Sequence, residues 1–320
     1  MNDTRCVSDT SAVAAMSRPR VRSVQRTAHC VFVVTCLLGA TVADLHAQPT
    51  RTRATEPTPM RGFRATPTVN MRIFLPAGRV RVAVWDRDSI SVSGTIGINS
   101  SMFGGGRPDF VKFGGEPLRT GDTRLAEADW LVTVPRRAHV WVKVTVGTIE
   151  TAGTAGELEL YAVGGSITVR QATGVISVES IDATVVIDGA RGDVRVRGSK
   201  AAITLHDVGG TASVTSVSGT VTLTGAAPEC RVETIGGDVS VDATRLRGAL
   251  AELQTHAGAI RIGISAQRPP ILDLTSRSGR VTQPPLIGAA ANGRVVARSF
   301  RGSVTVATTT AAVHSTGGVP

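Results

Sequence analysis

Few side chains in this 320-residue sequence are spaced to do chemistry. Beyond residue 47 the histidines are His139, His206, His256 and His314, and none stands in a His-x-x-x-His or Cys-x-x-Cys spacing, so no zinc site is legible. Cys230 is the one cysteine left after 1–47. It lies in a strand-like stretch, CRVET, at a position that predicts a small buried thiol rather than a nucleophile. Asp86 with Asp88, or Asp193 beside Arg195 and Arg197, could supply the acids of a polysaccharide-cleaving β-helix, and turn or surface duty explains the same residues. Gly192-Asp193 and Gly237-Asp238 hint at a calcium-binding roll, but the carboxylates do not recur at every repeat as a hard cation requires. A Gly-x-Ser-x-Gly elbow and a phosphate-binding glycine loop are both missing. The sequence predicts no catalytic residue, no metal and no cofactor.

One surface candidate remains, and it depends on the elements that would carry it. Residues 164–180 read GGSITVRQATGVISVES, with Gly165 and Gly174 nine residues apart and apolar residues two and four places after each. The same beat starts at 147, 156, 165, 174, 183, 192, 201, 210 and 219, with Gly or, at 183 and 201, Ala. Residues two apart in a strand face the same side, so each beat is a short strand with two inward residues followed by a turn. Seven places into each beat, large and small residues mostly alternate (Ala172, Ile181, Ala190), so the true unit is a double beat with two strands and two unlike corners. Outward positions of alternate strands then carry Ser166, Thr168, Thr184, Thr204, Thr220, Thr222 and Ser240. Stacked with the period of the double beat, they would form two Ser/Thr-rich columns facing a ligand.

The fold class predicted is all-β, a β-solenoid of stacked parallel coils, with an antiparallel sandwich or meander as the alternative because short two-strand units can also be hairpins. About nine coils would fill 147–306, a rod on the order of 40 Å at ~4.8 Å per coil. Before them, 69–75, 79–85 and 89–96 alternate as strands, and 98–122, with Gly104–Gly106, reads as a long loop. These N-terminal strands would cap one end of a single domain, 69–306. Residues 48–68, rich in Pro, Thr and Arg, read as a flexible linker, and 307–320 as a disordered tail. Residues 1–47 read as a signal peptide: Arg18, Arg20, Arg22 and Arg26 precede an uncharged 13-residue apolar run, Val31–Ala43. That run is shorter than the ~20 residues a spanning helix needs. Cleavage would follow Ala43 or Ala47, the start being Met1 or Met16, and no transmembrane segment would remain.

PAGRVRVAVWDRDSISVSG, the entry VPRRAHVWVKVTVG and the repeated GxVxV units resemble a bacterial β-strand-repeat domain of unknown function, an adhesin-like group, over roughly 70–306. The resemblance implies a secreted or surface-exposed β-solenoid and attaches no catalytic residues to the pattern.

Composition agrees with export and a polar partner. Without 1–47 the chain keeps 30 basic and 22 acidic residues, which favours weak attraction to anionic surfaces. The charges are scattered, so no specific nucleic-acid binding is expected. The sequence thus points to an exported, non-enzymatic β-repeat protein of the periplasm, outer surface or medium, an adhesin-like envelope module whose partner is a glycan or another anionic surface component. A polysaccharide-active β-helix enzyme and a purely structural envelope component are the alternatives.

Overall fold

Register decides between stacked coils and hairpins. Val140, Leu158, Ile176 and Val194 are successive ladder partners, each one double beat beyond the last and parallel to it. Hairpins would have paired sequence neighbours antiparallel, so the chain is a β-solenoid. The computed structural model describes residues 59–119, 125–225, 227–244, 249–286 and 293–309. Among them are 21 strands and no helix. The predicted signal peptide and its cleavage sites lie outside the described residues.

The first six strands, β1 (Pro59–Arg64), β2 (Asn70–Trp85), β3 (Ser89–Ile96), β4 (Ser100–Arg107), β5 (Phe110–Pro117) and β6 (Glu127–Pro135), close one end. β2 runs unbroken through the predicted turn at 76–78, bending at Gly78 with φ of 113°. Its first half pairs in parallel with β5 and its second half with β6. The predicted loop over 98–122 is instead an antiparallel hairpin of β4 and β5. Its glycines hid it by breaking the alternation, yet they permit the pairing: a Cβ on Gly104 would lie 2.6 Å from that of Phe113. The predicted linker is also corrected. Residues 59–64 are β1, paired antiparallel with β3, and Phe63 stacks on Phe113 at 6.0 Å. Antiparallel β3 in turn covers β6.

Beyond this cap the coils are regular. β7 (His139–Ala152), β8 (Leu158–Arg170) and β9 (Ile176–Asp188) each turn a corner without breaking. Later coils split into a pair: β10 (Val194–Gly198) with β11 (Ile203–His206), β12 (Thr211–Ser216) with β13 (Val221–Thr224), β14 (Glu229–Thr234) with β15 (Val239–Asp242), and β16 (Ala249–Thr255) with β17 (Ile260–Ser265). The even-numbered strands of these pairs continue the first ladder, the odd-numbered ones the second. Inward columns such as Ile149–Ile167–Val185–Ile203–Val221 are at most 1% exposed. Burial of each such side chain contributes about 1.5–3 kcal/mol.

Thr151 breaks one column, where Val169, Ile187 and Leu205 follow. It is 3% exposed and its Oγ1 has no hydrogen-bond partner. A buried hydroxyl without a partner is destabilising, and a methyl of the same shape is not. Thr151→Val is therefore expected to raise stability by about 1 kcal/mol, read as a higher unfolding midpoint in urea.

Two devices form the corner between the ladders. At Gly165, φ is 108° and a Cβ would lie 1.9 Å from the carbonyl oxygen of Gly147 in the previous coil, so glycine is required there. Elsewhere a hydroxyl ties the turn. Ser180 accepts the N–H of Ala183 at 2.9 Å and donates to its carbonyl at 2.7 Å, and Thr234 and Thr255 accept the N–H groups of Gly237 and Gly258, each at 3.0 Å. Thr234 and Thr255 stack with Ser216 and Ser299 as a buried polar column, and Gly198 separates Ser180 from it.

The last coils are out of sequence order. After β17 come β18 (Ile271–Ser276), β19 (Val281–Thr282), β20 (Gly293–Ser299) and β21 (Val304–Thr309). β20 pairs with both β16 and β18, and β21 with both β17 and β19. The later coil thus lies inside, and the earlier one forms the end of the stack. The tail predicted from 307 begins no earlier than 310, because β21 extends to Thr309; 310–320 lie outside the described residues.

Candidate functional site

The register gathers most of the predicted Ser/Thr residues on the outer face of the second ladder. Ser166 pairs with Thr184, and Thr204 with Thr222, which pairs with Ser240. Thr168 heads the second column, with Val186 between it and Thr204. In the first column Ala202 separates Thr184 from Thr220, one position before the paired Val185, Ile203 and Val221. All seven side chains are half-buried or exposed. Among hydroxyls of these columns, Ser166 reaches Thr148 at 3.4 Å.

Three of the residues weighed for catalysis, Asp86, Asp193 and Arg197, have structural partners. Asp86 takes an ion pair from Arg136 at 3.3 Å, Asp193 accepts the N–H of Thr211 in the next coil at 2.9 Å, and Arg197 reaches Glu179 at 3.4 Å. Asp238 accepts the N–H of Ala259 at 2.8 Å and a bond from Arg261 at 3.0 Å. Those bonds hold its carboxyl below the usual carboxylate range, so it bridges two coils. Cys230 is buried in an inward column, and desolvation, aided by the charge of Glu229, pushes its thiol up to about 12. A thiol so protonated is no nucleophile at neutral pH. His139 meets Glu157 at 3.3 Å and His206 meets Asp188 at 2.8 Å, while His314 lies outside the described residues. Among the described residues no three metal-ligating side chains gather.

A larger feature lies at the corner, where the chain leaves the first ladder. An open groove of about 640 Å³ runs across β12, β14, β16 and β20, within the size range of ligand sites. One wall is polar: Thr215, Glu233, Gln254 and Arg298 are successive ladder partners. The other is apolar: Val217, Ile235, His256 and Phe300, placed two residues later in each coil. Backbone bonds fix that wall, with Gly236 N–H donating to Val217 O at 2.7 Å, Ala257 N–H to Ile235 O at 2.8 Å and Arg301 N–H to His256 O at 2.9 Å. The rings of His256 and Phe300 stack at 4.8 Å and 8°, and Arg277 lies 5.1 Å from the Phe300 centroid. Glu233 is held by Arg231 at 2.8 Å. Ser216, Thr234, Thr255 and Ser299, the hydroxyl column, form the floor.

The alternation of corner residues carried the signal for this groove. The small members Ala172 and Ala190 are buried, as is Val208, where the alternation of size lapses, whereas Ile181, Val217 and Ile235 are 44%, 48% and 58% exposed. Periodicity shows that the corners differ. Which corner points outward depends on the direction in which the chain turns, and a pattern of residue sizes does not encode that.

A family model described as Toastrack DUF4097 matches residues 125–311. No curated protein matches the chain. Among solved structures, the crystal structure of a candidate cell adhesion protein from Clostridium sporogenes ATCC 15579 is similar, with 7% identity and a TM-score of 0.26 over 79% of this chain and 100% of that one. A superposition that loose carries no argument about function.

Proposed function

This chain belongs to the Toastrack DUF4097 family, and from that premise we propose that it is a non-enzymatic interaction module of the bacterial cell envelope, exported by its N-terminal segment, in the manner of an adhesin. The observation that supports this reading is the corner groove, whose paired walls repeat coil after coil. A site of that kind offers a polar contact beside a less polar one at several positions along its length and suits an extended surface. Catalysis would instead require one point at which acid and base converge. Of the acids that could serve a polysaccharide-cleaving enzyme, Asp193 ties two coils through the Thr211 N–H and Asp86 is paired with Arg136.

The test incubates the purified full chain with isolated bacterial envelopes and, separately, with soluble polysaccharides. Co-sedimentation with envelopes and no release of reducing ends are expected. Polysaccharide cleavage that is abolished by replacing a single acidic residue would establish the enzyme reading instead.

A further inference from the structure

The corner groove has a translational symmetry that constrains what fits it. Thr215, Glu233, Gln254 and Arg298 stand one above another at ladder spacing, about 4.8 Å per step. Val217, Ile235, His256 and Phe300 repeat opposite them. A compact ligand would use one or two of these four steps, whereas a polymer with a short repeat would use all of them. From this geometry we infer that the groove holds an extended polysaccharide lying along the stack axis, perpendicular to the strands. The inference rests on the interaction-module reading and names its ligand.

The chemistry of the two walls selects a sugar chain over other polymers. The polar wall offers a hydroxyl, a carboxylate, a carboxamide and a guanidinium, which together accept and donate in planar pairs suited to vicinal hydroxyl groups. The apolar wall offers an aliphatic and aromatic strip for the C–H faces of sugar rings, ending on the stacked His256–Phe300 pair. An extended peptide would bind by adding a strand to a free edge, but β12, β14, β16 and β20 are each paired on both sides. A nucleic acid would need a column of cations, and this wall sets Glu233 against Arg298.

Affinity electrophoresis of the full chain tests this, in native gels cast with hydroxyethyl cellulose, dextran, alginate or, as a sugar-free polyanion, polyglutamate. Retardation is expected on at least one of the three polysaccharides and not on polyglutamate. Gln254→Ala and Phe300→Ala should each weaken it by about 10-fold, the size of a lost ring or hydrogen-bond contact at a binding site. Phe300→Tyr should retain it, as should Thr204→Ala with Thr222→Ala on the other ladder. Circular dichroism melts of the same variants separate lost binding from lost fold, and Gln254→Ala, at an exposed position, should melt as the parent does. Retardation on polyglutamate equal to that on alginate, retardation unaffected by both groove variants, or none on any polysaccharide would overturn the inference. Should envelope co-sedimentation persist in Gln254→Ala and Phe300→Ala, the interaction-module reading stands and the groove assignment fails. Should the parent neither co-sediment nor be retarded, both fail.

Discussion

Gly165→Ala is expected to destabilise the fold by about 3 kcal/mol or more, while Gly164→Ala, one residue earlier, should change stability by less than about 1 kcal/mol. The two positions differ in where a Cβ would go and in backbone conformation. At Gly165 it would sit 1.9 Å from the Gly147 carbonyl oxygen, on a backbone at φ of 108° that L side chains avoid. At Gly164 it would meet nothing within 4 Å. The clash at Gly165 has no cheap relief, because Gly147 is itself stacked on Gly78, where a Cβ would lie 1.8 Å from the carbonyl. Shifting one coil shifts its neighbour, since each coil of a solenoid is held by the next. Urea unfolding followed by circular dichroism reads both variants, and equal midpoints for the two would refute the stacked-corner account.

That pair also shows how much of the molecule was legible. The motif GGSITVR announces a corner, an inward Ile167 and an inward Val169, and both are fully buried. The double beat reappears as the ladder register between Ile167 and Val185. Local pattern is faithful here because one coil obeys the same inward–outward rule as every other. It fails where pairing departs from the repeat. Gly104–Gly106 carry no alternation, so nothing local marks the β4–β5 hairpin, whose reason is the close approach of Phe113. β1 was hidden for a similar reason: the whole of β2 separates it from its partner β3, and Phe63 alone signals the packing. For the candidate site, the outward Ser/Thr positions were readable from periodicity. The groove was not, because its two walls take their shape from the direction of a turn.

Ending the chain after residue 292 is expected to be as damaging as ending it after residue 266, although it removes far fewer residues. In a stack built in sequence order, the shorter deletion would cost only the outermost coil. Here it removes β20 and β21, which separate β16 and β17 from β18 and β19. Val295, Ala297 and Val304 are wholly buried, whereas Leu272 and Leu274 of the end coil are only half-buried and Val281 is 41% exposed. Among the described residues, the only strands that pair with β18 and β19 belong to the deleted coil. Re-docking them directly on β16 would demand a new connection between 266 and 271, where the present path spans the thickness of an intervening coil. Losing the inward Val295, Val304 and Val306 at about 1.5–3 kcal/mol each, less the ordering entropy no longer required, leaves a deficit of several kcal/mol. Hydrogen exchange of the 1–292 chain should therefore show protection ending near Ser265, with 271–282 exchanging freely and cut early by protease. Protection that persists through Thr282 would mean that β18 had taken the place of β20, and that the order of the last two coils is a choice of the intact chain rather than a requirement of its core.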